Sequence, residues 1–105
     1  PLLDGFLHVP ANDLSAINAL GDALADVVAV LVEPIQGEGG VRPLDRHYLQ
    51  GLRDLCEQNQ WLLMFDEVQT GNGRCGSTYV CEQLEIKPDV LLTAKGLGNG
   101  LPIGV

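Results

Sequence analysis

A chain of 105 residues, 46% apolar and 19% charged, has the composition of a folded globular unit and not of a disordered tail. Its net charge of -8, with only six scattered Lys and Arg, argues against a partner that presents a phosphate backbone, so no nucleic acid is expected. No apolar run reaches the length of a membrane span and no signal peptide is visible; three cysteines (Cys56, Cys75, Cys81) without a C-x-x-C pair fit the reduced thiols of a cytoplasmic protein.

In chain order, Asn12-Asp13 can cap a helix with apolar positions Leu14, Ile17, Leu20 and Leu24, its end weakened by Gly21. Residues 27–32 form a continuous, largely β-branched run, the pattern of a strand buried on both faces. Pro34 and the glycines of residues 33–40 break either period, which predicts a loop leaving that strand's carboxyl end. A second helix begins near Asp45, with Leu49, Leu52, Leu55 and Cys56 as its apolar stripe and Arg46, Asp54 and Glu57 on the wet side. Residues 62–66 are the next strand, and strand, helix, strand predicts a parallel pair joined by a crossover, with ligands beyond the carboxyl ends. After the glycine-rich turn 70–76, a short helix is predicted over 77–84 and a third strand over 90–93. No linker, repeat or composition shift marks a domain boundary.

Two residues carry the chemistry. Lys95, one of two lysines, follows the third strand among glycines, and Asp66 closes the strand before it. An amine able to form a Schiff base and an anion able to keep a ring nitrogen protonated are what an aldehyde cofactor with a basic ring requires, which suggests pyridoxal phosphate. Leu63-Met64-Phe65-Asp66-Glu67 also satisfies a Walker B pattern, but the G-x-x-x-x-G-K-[ST] loop that an ATPase needs is absent, and Gly96, Gly98, Gly100 and Gly104 do not make a dinucleotide fingerprint. His8, His47 and the cysteines lack ligand spacing, so no metal is expected.

The segments Glu33-Pro34-Ile35-Gln36-Gly37-Glu38-Gly39-Gly40-Val41, Phe65-Asp66-Glu67-Val68-Gln69-Thr70-Gly71 and Ala94-Lys95-Gly96-Leu97 together resemble the class III, pyridoxal-phosphate-dependent aminotransferases, and among them most the acetylornithine and succinylornithine group. The resemblance implies an α/β fold: residues 1–105 would be the central part of the large, cofactor-binding domain of a fold-type I transferase, a mostly parallel sheet with flanking helices. It implies that Lys95 bonds the cofactor and then moves a proton on the substrate, and that Asp66 holds the pyridine nitrogen. Val68 would pack on the ring, Gln69 would reach its phenolic oxygen, and Glu67 would be a neighbouring cofactor contact. Glu38 would gate the substrate by pairing with an arginine outside this chain, and Glu33 would be an acid one layer back from the cofactor ring. The implied reaction moves the terminal amine of N-acetylornithine or succinylornithine to 2-oxoglutarate, in a homodimer whose second subunit completes the phosphate site. Ornithine or other ω-amino donors, an aminomutase or decarboxylase reaction, and an inert fragment remain open alternatives. Cys75 and Cys81 depart from the family, which commonly has Thr and a small residue there.

Overall fold

The structure, a computed structural model, describes residues 4–105. Helix α1 (Leu14–Ala23) starts where Asp13 Oδ1 accepts hydrogen bonds from the Ala16 amide at 3.0 Å and from Ser15 Oγ at 2.6 Å. Gly21 does not end it. The helix runs on to Ala23, and the glycine answers a packing demand: a Cβ there would lie 2.4 Å from the Trp61 ring.

Among the described residues five strands follow in chain order: β1 (Ala29–Val32), β2 (Ile35–Gln36), β3 (Arg42–Pro43), β4 (Leu62–Asp66) and β5 (Val90–Leu92). Helix α2 (Arg46–Asn59) connects β3 to β4, and α3 (Val80–Leu84) precedes β5. The main sheet has the order β1-β4-β5 and is parallel throughout, with Val32 opposite Phe65 and Asp66 opposite Leu92. β2 and β3 pair antiparallel as a separate hairpin, so the segment expected to be a loop contains a strand; its glycines form only the turn, where Gly40 and Val41 amides return to the Gly37 carbonyl.

The core lies between α2 and one face of the sheet. Leu49, Leu52 and Cys56 of α2 meet Leu63 and Phe65 of β4, all without solvent exposure. Each fully buried Leu or Phe contributes roughly 1.5–3 kcal/mol through the hydrophobic effect. The opposite face is only partly covered, which corrects the expectation for the first strand: Leu31 is 55% exposed and Leu62 48%. Asp89 clamps the layers together. Its Oδ2 accepts from Arg53 Nη1 of α2 and from the Leu63 amide of β4, both at 2.8 Å, and Arg53 also reaches the Lys87 carbonyl. No helix among the described residues is long and apolar enough to cross a membrane.

Candidate cofactor site

Because the three strands are parallel, their carboxyl ends share one edge, and each hands its chain to a segment bearing polar groups. Glu33 follows β1, Asp66 ends β4, and Lys95 lies three residues after the end of β5. Asp66 is registered with Leu92 on the adjacent strand. With strands about 4.8 Å apart and a rise of about 3.3 Å per residue, the Asp66 and Lys95 backbones are within roughly 11 Å of each other.

Asp66 is half-buried and lines a cleft of about 320 Å³ with Val32, Glu33, Gln36 and Tyr48. Its Oδ1 accepts from the Val68 amide at 3.0 Å, while Oδ2 accepts no hydrogen bond among the described residues. Lys95 is exposed and makes no ion pair among the described residues. It opens a 3₁₀ helix (Lys95–Gly98) at φ 49°. A residue with a Cβ in this left-handed region costs about 1–2 kcal/mol, strain that persists only where the surroundings impose it.

The loop after β1 is brought against the turn after β4. Glu33 Oε2 accepts from the Gly37 amide at 3.0 Å, which shapes the start of the hairpin turn, and Glu38 Oε1 accepts from Gln69 Nε2 at 3.4 Å. Gly37 permits this approach, since a Cβ there would lie 2.9 Å from Gln69 Cγ. Glu38 and Gln69, distant in sequence, therefore meet at the same edge as Asp66.

The chain turns directly after Asp66, so Val68 lies outside β4: the Val68 amide bonds back to the Asp66 carboxylate and the Gly71 amide to the Glu67 carbonyl at 2.8 Å. Glu67, expected as a neighbouring cofactor contact, is wholly buried, and its carboxylate accepts from Thr70 Oγ1 at 2.9 Å, the Val80 amide at 2.6 Å and the Cys81 amide at 2.9 Å. Satisfying the first amides of α3 occupies both oxygens, and it explains why that helix begins at Val80 and not at Ser77. Burial, and next the nearby Glu67 charge, pushes the Cys81 thiol up to about 11.

Asn72 lies in the turn after β4. Its Nδ2 donates to Thr93 Oγ1 and to the Ala94 carbonyl, both at 3.1 Å, and so ties the turn after β4 to the residues preceding Lys95. Nothing local in the sequence marks a pairing across 21 positions. Among the described residues no group of three or more His, Cys, Asp or Glu is placed to hold a metal ion. A carboxylate oxygen without a partner and an unpaired primary amine, arriving from adjacent strands beside an amide donor, fit a cofactor that offers a protonated ring nitrogen, an aldehyde and a phenolic oxygen.

The family described as Aminotransferase class-III matches residues 7–105. Acetylornithine aminotransferase 1 of Bordetella pertussis is 54% identical over 104 residues, covering 99% of this chain and 26% of that protein. Acetylornithine aminotransferase of Bacillus subtilis is 46% identical over 104 residues, 99% of this chain and 27% of its own length. The chain thus spans about a quarter of the curated relatives it matches. Among solved structures, N-acetylornithine aminotransferase from Stenotrophomonas maltophilia superposes with a TM-score of 0.89 at 44% identity, over 95% of this chain and 27% of that one. The ornithine aminotransferase from Toxoplasma gondii, described with partial occupancy of PLP at its active site, gives 0.91 at 38% identity, over 99% of this chain and 24% of that one. The parallel sheet and flanking helices described above are accordingly a portion of the pyridoxal-phosphate-dependent aminotransferase fold.

Proposed function

The chain belongs to the class III aminotransferases, and on that premise we propose that its 105 residues are the central part of the cofactor-binding large domain of an enzyme that transfers the terminal amine of N-acetylornithine, or succinylornithine, to 2-oxoglutarate. The products are glutamate and a semialdehyde. Class III aminotransferases depend on pyridoxal phosphate, whose ring, when bound, withdraws electrons from the substrate's α-carbon or its terminal equivalent. The observation that carries the reading is the arrival of Asp66 and Lys95 from adjacent parallel strands at one edge of the sheet.

In this reading each residue has a task that its place supports. Asp66, its Oδ1 held by the Val68 amide, presents Oδ2 to the ring nitrogen as a charge-assisted acceptor. Val68, fixed through that same amide, lies against the ring. Lys95 supplies the amine that holds the cofactor's aldehyde carbon and afterwards carries a proton on Nζ to and from the substrate. Gln69 reaches the phenolic oxygen, and its contact with Glu38 sets Glu38 beside the cofactor, where a carboxylate can engage the arginine that otherwise binds a substrate carboxylate. Glu33 supports the turn that delivers Glu38. The donor class rests on the names of the four relatives given above, which are acetylornithine or ornithine aminotransferases. A cytoplasmic homodimer in arginine biosynthesis completes the reading.

Borohydride reduction of the intact, cofactor-loaded protein followed by peptide mapping tests the assignment: the label is expected on Lys95, and a label elsewhere ends it. Asp66→Asn removes a charge-assisted hydrogen bond worth about 1.5–3 kcal/mol, so kcat should fall about ten- to a hundredfold with the fold intact. A panel of ω-amino donors assayed with 2-oxoglutarate tests the substrate class; no turnover with acylated ornithines would exclude it.

A further inference from the structure

Lys95 sits in a backbone conformation that its own side chain does nothing to favour. Glycine adopts φ 49° freely and asparagine tolerates it, but a lysine there must be held from outside. Rotation about its N–Cα bond relates the side chain to the preceding peptide plane, which contains the Ala94 carbonyl. That carbonyl accepts from the Leu97 amide at 3.1 Å and from Asn72 Nδ2 at 3.1 Å, while the second Asn72 amide hydrogen goes to Thr93 Oγ1. Thr93 is buried and is paired through its backbone with Val105. A Cβ on Gly96 would lie 3.3 Å from Asn72 Cβ, so the asparagine also backs the first turn after the lysine.

We infer that Asn72 is a positioning residue: its amide fixes the peptide plane leading into Lys95 and so holds the lysine in the strained conformation from which its amine meets the cofactor. The inference rests on the reading of Lys95 as the cofactor-binding lysine. An asparagine side chain matches the task because it carries two donors for two neighbouring acceptors; aspartate has the same shape and neither donor at neutral pH. Without the clamp, Lys95 relaxes out of the left-handed region, and the apparent cofactor affinity falls by the fraction of molecules that remain competent.

Asn72 itself lies at φ 57°, so a purely local role in the turn is the competing explanation, and Asn72→Gly separates the two. Glycine accommodates that backbone and lacks the amide. In the intact protein, titration of the apoenzyme with pyridoxal phosphate, followed by visible absorbance, should show N72G binding about tenfold more weakly, equivalent to about 1.4 kcal/mol. The apoenzyme's thermal midpoint should stay close to the parent's. Asn72→Asp should bind more weakly still. Thr93→Val, nearly the same in shape, removes one of the two acceptors; it should weaken binding about threefold and add little to N72G, because both changes break the same contact. Cofactor affinity in N72G and T93V within twofold of the parent overturns the inference, even when borohydride mapping places the label on Lys95. A label elsewhere overturns both the inference and the reading it rests on.

Discussion

Replacing Glu67 tests whether the conspicuous acid beside Asp66 belongs to the chemistry or to the scaffold. Its buried carboxylate receives three hydrogen bonds, two of them from the Val80 and Cys81 amides that open α3 and have no intrahelical partner. Glu67→Ala leaves those donors facing a cavity. At about 1–3 kcal/mol for each unsatisfied buried group, with a further contribution from lost packing, the expected loss is roughly 3–6 kcal/mol. Glu67→Gln keeps the shape and one acceptor oxygen, but points an NH2 group at an amide donor; about 1.5–3 kcal/mol should be lost. Urea unfolding of the intact protein, followed by circular dichroism, measures both, and cofactor titration of E67Q measures the other half of the claim: its affinity should stay within about threefold of the parent, the equivalent of about 0.7 kcal/mol. Unchanged urea midpoints would show that these hydrogen bonds do not support α3. A stable E67Q protein that no longer binds pyridoxal phosphate would return Glu67 to the cofactor site and refute the assignment.

Three further outcomes follow from the same contacts. Gly37→Ala places a Cβ 2.9 Å from Gln69 Cγ and should cost about 1–2 kcal/mol in urea unfolding as Gln69 is pushed from Glu38, whereas Gly39→Ala, whose nearest neighbour would be Gln36 Cβ at 3.7 Å, should be almost silent. The Asp89 carboxyl is held below the usual carboxylate range, first by the Leu63 amide and then by Arg53, so its contribution is complete above the ordinary value of about 3.9 and is lost as the pH falls through the lower folded-state value. The stability gap between the parent and Asp89→Asn, followed by unfolding midpoints against pH, should therefore be wide at pH 7 and close in acid. Burial lifts the Cys56 and Cys81 thiols to about 11, so iodoacetamide at pH 8 should leave both essentially unlabelled by peptide mapping, with rates rising about tenfold per pH unit until the thiols ionise.

The elements set by local rules could be read from the residues alone. β4 occupies residues 62–66 as its apolar run and the following Asp-Glu required, α2 starts after Asp45, and Asp13 caps α1. Strand, helix, strand order implied the parallel pairing that carries Glu33, Asp66 and Lys95 to one edge, whereas the tasks of Glu38, Val68 and Gln69 came only with the family resemblance. What could not be read depends on partners distant in the chain. Gly21 stays helical because Trp61 fills the space a Cβ would take, and the β2–β3 hairpin exists because Ile35 meets Pro43. Glu67 turns inward because the amides of Val80 and Cys81 need an acceptor, and the backbone of Lys95 is strained beside a carbonyl that Asn72 holds from another loop. Periodicity and chemical type are properties of neighbouring residues and travel with the sequence; hydrogen-bond satisfaction and close packing are settled between segments that only the folded chain brings together.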